Sequence, residues 1–157
     1  MKNEFNLRFE NQNFDHLNLK PYMNVGPSLE NIMFLNCTFY ESTVDSIINC
    51  VFKSCKLDTL YMRKGAILSS EFEDCQLIDI GLFKGDIINS HFTNCTFINF
   101  HLGIGYVGDC TFKDCQFQMD NLDMFEPITP NNIKLWHEGE WRTVTDWQEF
   151  LRFQTPN

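Results

Sequence analysis

The chain has 157 residues, 43% apolar and 21% charged, which gives room for one domain with a substantial core and excludes disordered, collagen-like and coiled-coil compositions. Its net charge of −9 is concentrated between residues 30 and 126, where 14 Asp and Glu stand against 6 Lys and Arg. That excess argues against nucleic-acid binding through a basic groove, and the lack of any apolar run of about 18 residues argues against a membrane span.

From the start of the chain, large apolar residues recur every fifth position: Phe9, Phe14, Leu19, an interrupting Asn24, then Leu29, Phe34, Phe39 and Val44. The stretch "KPYMNVGP" holds two prolines and a glycine where the pattern fails, which predicts an irregular corner near residues 20–27. The opening "MKNEFNLRFENQ" shows no apolar stretch of the secretory type, so the expected location is cytoplasmic.

The step of five then resumes in a frame shifted by three and runs without a break through Phe52, Leu57, Met62, Ile67, Phe72, Leu77, Leu82, Ile87, Phe92, Phe97, Leu102, Val107, Phe112, Phe117 and Leu122. A helix repeats at three and four and a half-buried strand at two, so period five means a chain that turns a corner every five residues. In twenties, Gly65, Gly85 and Gly105 align, as do Cys55, Cys75, Cys95 and Cys115. Four corners therefore close one coil, and the coils stack as a solenoid. Aligning "STVDSIINCVF" with "LFKGDIINSHF" places a two-residue deletion near Asp45 and Ser46.

All seven cysteines, Cys37, Cys50, Cys55, Cys75, Cys95, Cys110 and Cys115, stand two places before a central apolar residue. They are expected to be free, buried thiols that serve as small apolar side chains, neither bridged nor bound to metal.

The repeat of a small residue, one variable residue, a central Phe or Leu and two more variable residues resembles the motif of the pentapeptide-repeat family over residues 7–126. This resemblance implies an all-β fold, a right-handed quadrilateral β-helix of about six coils spanning residues 1–126. Residues 127–157 form a separate capping segment, set off by Pro127 and Pro130. Within it, "IKLWHEGEWRTV" reads as a hairpin about a Glu-Gly turn and "TDWQEFLRF" as a short helix capped by Thr145. Trp136, Trp141 and Trp147 are expected to plug the last coil, with Phe150 beside them; the alternative, which the resemblance implies, is homodimerisation through this tail.

No phosphate-binding, nucleophile-elbow, zinc or EF-hand motif occurs, and "GIG" at 103–105 lies inside the repeat, so neither enzyme activity nor a cofactor is expected. His91 should sit outside, between Glu71 and Thr111, where a contact with Glu71 is expected. With inward positions occupied, function falls to the outer surface. Leu68, Phe83, Ile88, Ile104 and Tyr106, together with Tyr61, Ile78 and Ile98, form a candidate protein interface, provided that the tail does not cover it. The expected function is that of a non-catalytic scaffold that docks on a partner protein and neutralises or inhibits it, as an immunity protein or antagonist would. The resemblance implies an alternative, an acidic DNA mimic that protects or inhibits a type II topoisomerase, for which Glu71, Glu73, Asp74 and Asp79 are the candidate face.

Overall fold

A computed structural model of the chain describes residues 5–16, 28–62, 65–82, 85–99, 101–102, 105–118 and 131–146, with the backbone alone at 101, 102 and 118. The irregular corner at 20–27 lies outside these residues, as does nearly all of the helix expected over 145–153.

Among the described residues, the central residues of the five-residue step turn inward. Phe52, Leu57, Met62, Ile67, Phe72, Leu77, Leu82, Ile87, Phe92, Phe97, Val107 and Phe112 are each no more than 5% exposed. Between one centre and the next the chain must turn through a corner, and the residue two places after the centre does this in the left-handed region. Asp74 (φ 55°), Asp79 (φ 50°), Asn89 (φ 51°), Asn94 (φ 50°) and Asn99 (φ 50°) are examples. Asn and Asp tolerate that region better than other non-glycine residues, which is why they crowd these positions.

Stacking of the coils produces parallel sheets with the predicted register. Face A carries Leu7–Glu10, Ile32–Leu35, Val51–Lys53, Glu71–Glu73, His91–Thr93 and Thr111–Lys113 in spatial order. Face B carries Asn13–Asp15, Thr38–Thr43, Lys56–Met62, Gln76–Ile78, Thr96–Ile98 and Gln116–Gln118. The strands Thr38–Thr43 and Lys56–Met62 continue round a corner onto a third face, D, where Gly81–Leu82 and His101–Leu102 follow them. Face C carries Leu29–Glu30, Ile47–Ile48, Ile67–Leu68, Ile87–Ile88 and Val107–Gly108.

On face C the register pairs Ile47 with Ile67, Ile67 with Ile87 and Ile87 with Val107, coils of twenty, whereas Leu29 pairs with Ile47, a coil of eighteen. The short coil loses its residues between Val44 and Asp45. Thr43 still pairs with Tyr61, while Gly65 lies against the Asp45 carbonyl, so the coil has no counterparts to Arg63 and Lys64. Face A shows six rungs from Leu7–Glu10 to Thr111–Lys113, but only about four turns are closed on all sides among the described residues, fewer than the six coils expected. A run of central residues counts partial coils at both ends as whole ones.

The core is a column of rings. Phe34, Phe52, Phe72, Phe92 and Phe112 stack with centroids 4.8–4.9 Å apart and interplanar angles of 14° or less. Phe97 and Phe117 stack at 4.4 Å on the neighbouring face. The ring spacing is the strand spacing of about 4.8 Å, so ladder pairing and aromatic stacking are satisfied by one repeat distance. Burying each Phe contributes about 1.5–3 kcal/mol relative to leaving it exposed.

After the repeat, Ile133–His137 adds a further parallel rung to face A, with Leu135 over Phe112, and Glu140–Val144 folds back antiparallel to it. The Glu-Gly turn is where the sequence suggests, with Glu138 at φ 51° and Gly139 at φ 84°. The filling of the last coil is not as expected. Ile133, Leu135 and Val144 point inward and are buried, whereas Trp136 is half-buried and Trp141 is 46% exposed. Alternation along a strand requires this: if 133 and 135 face the core, 136 faces out. The two indoles pack edge to face at 5.2 Å on the outside, and Lys113 lies 5.1 Å above the Trp136 ring. Trp147 and Phe150 lie outside the described residues.

Candidate protein-binding surface

The interior holds the reactive groups and engages them. Each cysteine thiol donates to backbone carbonyls: Cys75 to Glu73 (3.2 Å) and Phe52 (3.4 Å), Cys95 to Thr93 (3.3 Å) and Phe72 (3.4 Å). Cys37, Cys55, Cys75, Cys95 and Cys115 occupy equivalent positions in successive coils, and all seven cysteines are free. Burial pushes the Cys37 and Cys50 thiols up, and takes Cys110 up to about 11. Cys55 is raised further, first by its hydrogen bond with Cys75 and then by burial. For Cys75 the bond with Cys55 acts downward, but the bond with Cys95 and burial outweigh it and push it up to about 12. Cys95 is likewise pushed up to about 12, first by its bond with Cys115. Cys115 alone goes down, first because its side-chain interaction with Cys95 favours its thiolate. A second column, Cys50, Ser70, Ser90 and Cys110, places hydroxyls among thiols. Ser70 Oγ donates to the Leu68 carbonyl at 2.8 Å and accepts the Cys50 amide at 3.1 Å. Among the described residues no group of three His, Cys, Asp or Glu is arranged to hold a metal ion, and no helix is long and apolar enough to cross a membrane.

The outer surface divides by chemistry. On face C, Ile48, Leu68 and Ile88 lie directly above one another, all pointing outward and half-buried. Above Ile88 the register reaches Gly108, and the Tyr106 ring lies across it: a Cβ at Gly108 would come within 2.4–2.6 Å of that ring and its hydroxyl. Tyr106 is 38% exposed and its hydroxyl is hydrogen-bonded to Asn131, which ties the last coil to the hairpin. Thus Leu68, Ile88 and Tyr106 belong to one stripe. Phe83 and Ile104 lie outside the described residues. Tyr61 is 56% exposed on face D, beside Gly81, and Ile78 and Ile98 stack on face B above Asp58. Ile48 extends the stripe by one rung. Its signal was in the sequence, since the alignment that locates the deletion sets "DSIIN" against "GDIIN" and so places Ile48 under Ile88.

The acidic candidates form no continuous face. Glu73 pairs with Lys53 at 2.6 Å, and its column continues through Thr93 to Lys113. Asp74 and Asp79 are corner residues whose carboxylates accept from Asn94 (2.6 Å) and Asn99 (3.0 Å) of the next coil. Glu71 is exposed below His91, but His91 hydrogen-bonds Thr111 (2.8 Å) on the other side, and that bond, rather than the expected one to Glu71, holds the ring.

Four five-residue faces per coil, with an inward residue two places before the centre that is small at most positions but Ile32, Leu60 and Ile80 at others, define a solenoid of the pentapeptide-repeat type. The chain has the fold of such a solenoid, built on its own five-residue register. No family model and no curated protein matches its sequence. Among solved structures it is similar to QnrB1, described as a plasmid-mediated fluoroquinolone resistance protein, in two trypsin-treated variant forms. One is 9% identical with a TM-score of 0.42, covering 88% of this chain and 77% of that one. The other is 12% identical with a TM-score of 0.29, covering 93% and 95%. It is also similar to a pentapeptide-repeat protein, Rfr23, from the cyanobacterium Cyanothece 51142, at 13% identity and a TM-score of 0.31, covering 71% of this chain and 84% of that one.

Proposed function

We propose that this protein is a non-catalytic scaffold that binds a partner protein on its outer surface and neutralises or inhibits it, in the manner of an immunity protein or antagonist. The observation that carries the reading is the outward stripe of Ile48, Leu68, Ile88 and Tyr106 on a rod whose interior is filled by stacked rings. A rigid surface loses little conformational entropy on binding, and a contiguous apolar group on it is the kind of feature that marks a contact site. Seven unbridged thiols fit a reducing, cytoplasmic setting, and the acidic charge fits a protein rather than a nucleic-acid partner.

The test is affinity purification of the tagged protein with mass spectrometry, run beside Leu68→Arg. A partner held by the wild type and lost by a folded Leu68→Arg supports the reading. If Leu68→Arg binds normally while Glu71→Lys with Glu73→Lys abolishes binding to a type II topoisomerase, the protein is a DNA mimic and the reading fails.

A further inference from the structure

We propose that the occupant of face C is a basic amphipathic helix of the partner, lying along the stack with its apolar stripe on Ile48, Leu68, Ile88 and Tyr106. The inference rests on the binding-scaffold reading above and adds the chemistry of what is bound.

Charge supports it first. Every described Lys and Arg stands on face A or B: Arg8, Lys53, Lys113, Lys134 and Arg142 on A, Lys56 on B. Most are engaged locally, Arg8 with Glu10, Lys53 with Glu73, Lys56 with Asp58, Arg142 with Glu138 and Glu140. The charged residues described on face C and its borders are all acids. Glu30 lies in register below Ile48, Asp45 and Asp86 on the side of the glycine column, and Asp109 at the corner beyond. Asp86 accepts the Tyr106 amide at 2.8 Å and Asp109 accepts from Asn132 at 2.7 Å, but among the described residues no cation neutralises any of the four. Arg63, Lys64 and Lys84, which precede Gly65 and Gly85 in the sequence, lie outside the described residues. A partner whose apolar residues are flanked by Lys or Arg thus gains both burial and charge pairing here.

Spacing supports it second. Successive rungs rise about 4.8 Å, so the stripe from Ile48 to Tyr106 spans ~14 Å. A helix rises 5.4 Å per turn, so residues at i, i+3 or i+4, and i+7 meet successive rungs, and roughly ten residues cover the stripe. An extended strand lying the same way repeats each side about every 6.8 Å and falls out of step within two rungs.

The probe is a synthetic 14-residue helical peptide with Leu at i, i+3, i+4 and i+7 flanked by Lys, with a second peptide in which Glu replaces every Lys. Binding to the full chain is followed by fluorescence anisotropy. The Lys peptide is expected to bind at least tenfold tighter than the Glu peptide. Leu68→Arg is expected to remove that binding, and Glu30→Gln with Asp86→Asn to weaken it several-fold. Glu71→Gln with Glu73→Gln, which removes the same charge from face A, is expected to leave it unchanged. Equal weakening by the two charge pairs would mean non-specific attraction to an acidic protein and overturn the proposal, as would equal binding of the two peptides. If a natural partner is lost on Leu68→Arg but neither peptide binds, the helix is wrong while the scaffold reading stands.

Discussion

A thiol and a hydroxyl differ little in size, yet this chain places cysteine at seven inward positions, where each side chain is part of the buried core and donates to backbone carbonyls. The outcome is that every one of these thiols except Cys115 is pushed above its ordinary range, by burial or by a neighbouring thiol. The folded pKa of Cys75 and Cys95 is about 12 against an ordinary value of 9.0, so above pH 9 the unfolded chain releases protons that the folded chain retains. Stability is therefore complete below about pH 9 and falls as pH rises toward 12, by up to about 1.4 kcal/mol per pH unit for each such thiol. Urea titrations between pH 7 and 11 should show this decline, and a thiol reagent at pH 8 should label the chain only after denaturation; a flat profile would mean that the column is not buried as described. The glycine column makes a second residue-scale case. A Cβ on Gly85 would stand 2.0 Å from the Gly65 carbonyl oxygen, whereas one on Gly81 would stand 3.4 Å from the Tyr61 ring. Gly85→Ala should cost about 1–3 kcal/mol through forced separation of two coils, and Gly81→Ala should stay within about 0.5 kcal/mol. Equal melting temperatures for the two variants would refute the close approach.

At the scale of the element, the strands are only two to seven residues long, and none has a hydrophobic pattern that identifies it alone. What was legible was the repeat. Central Phe and Leu fixed the inward direction and the frame shift exposed the short coil, whereas the corner role of Asn and Asp two places after the centre emerged only with their left-handed φ values. The tail was less legible because it has no repeat to supply phase. Size favours three tryptophans as plugs, but register decides the direction of each side chain, and Leu135 rather than Trp136 continues the Phe112 column. The roles of the acidic candidates were illegible for a related reason, since a carboxylate that accepts a hydrogen bond at a corner, as those of Asp74 and Asp79 do, reads the same in sequence as one that faces solvent alone. If Leu135 closes the stack, Leu135→Ala should destabilise by about 2–5 kcal/mol. Trp141→Ala, at a side chain 46% exposed, should cost less than about 1 kcal/mol. Chemical denaturation of the two variants decides between closure by the hairpin's inner face and closure by its indoles, because the second arrangement reverses the order.

For the whole molecule, the consequence of stacking is that each coil touches only its neighbours, so stability is a sum of coil and interface contributions and opening should begin at an end. The two ends are unlike. At the C-terminal end the hairpin adds a parallel rung and a buried Ile133, Leu135 and Val144. At the other end Phe9 and Phe14 are only partly buried, and Leu7 is 53% exposed. The amides that join inner coils, Glu71 to the Cys50 carbonyl, Gln76 to Cys55, His91 to Ser70 and Thr96 to Cys75, lie in rungs paired on both sides. Those of Asn6 and Asn11, bonded to Asn31 and Leu35, join the first rung to the second. Native-state hydrogen exchange should therefore give a gradient. Glu71, Gln76, His91 and Thr96 should exchange only through global unfolding, and Asn6 and Asn11 should exchange on the order of 100-fold faster. The surface stripe of Ile48, Leu68 and Ile88 sits on the slow rungs, so the same gradient would leave the proposed contact face rigid while the first coil opens. Uniform protection along the chain would show instead that the solenoid opens all at once, and that the rigidity of the stripe is no greater than that of the ends.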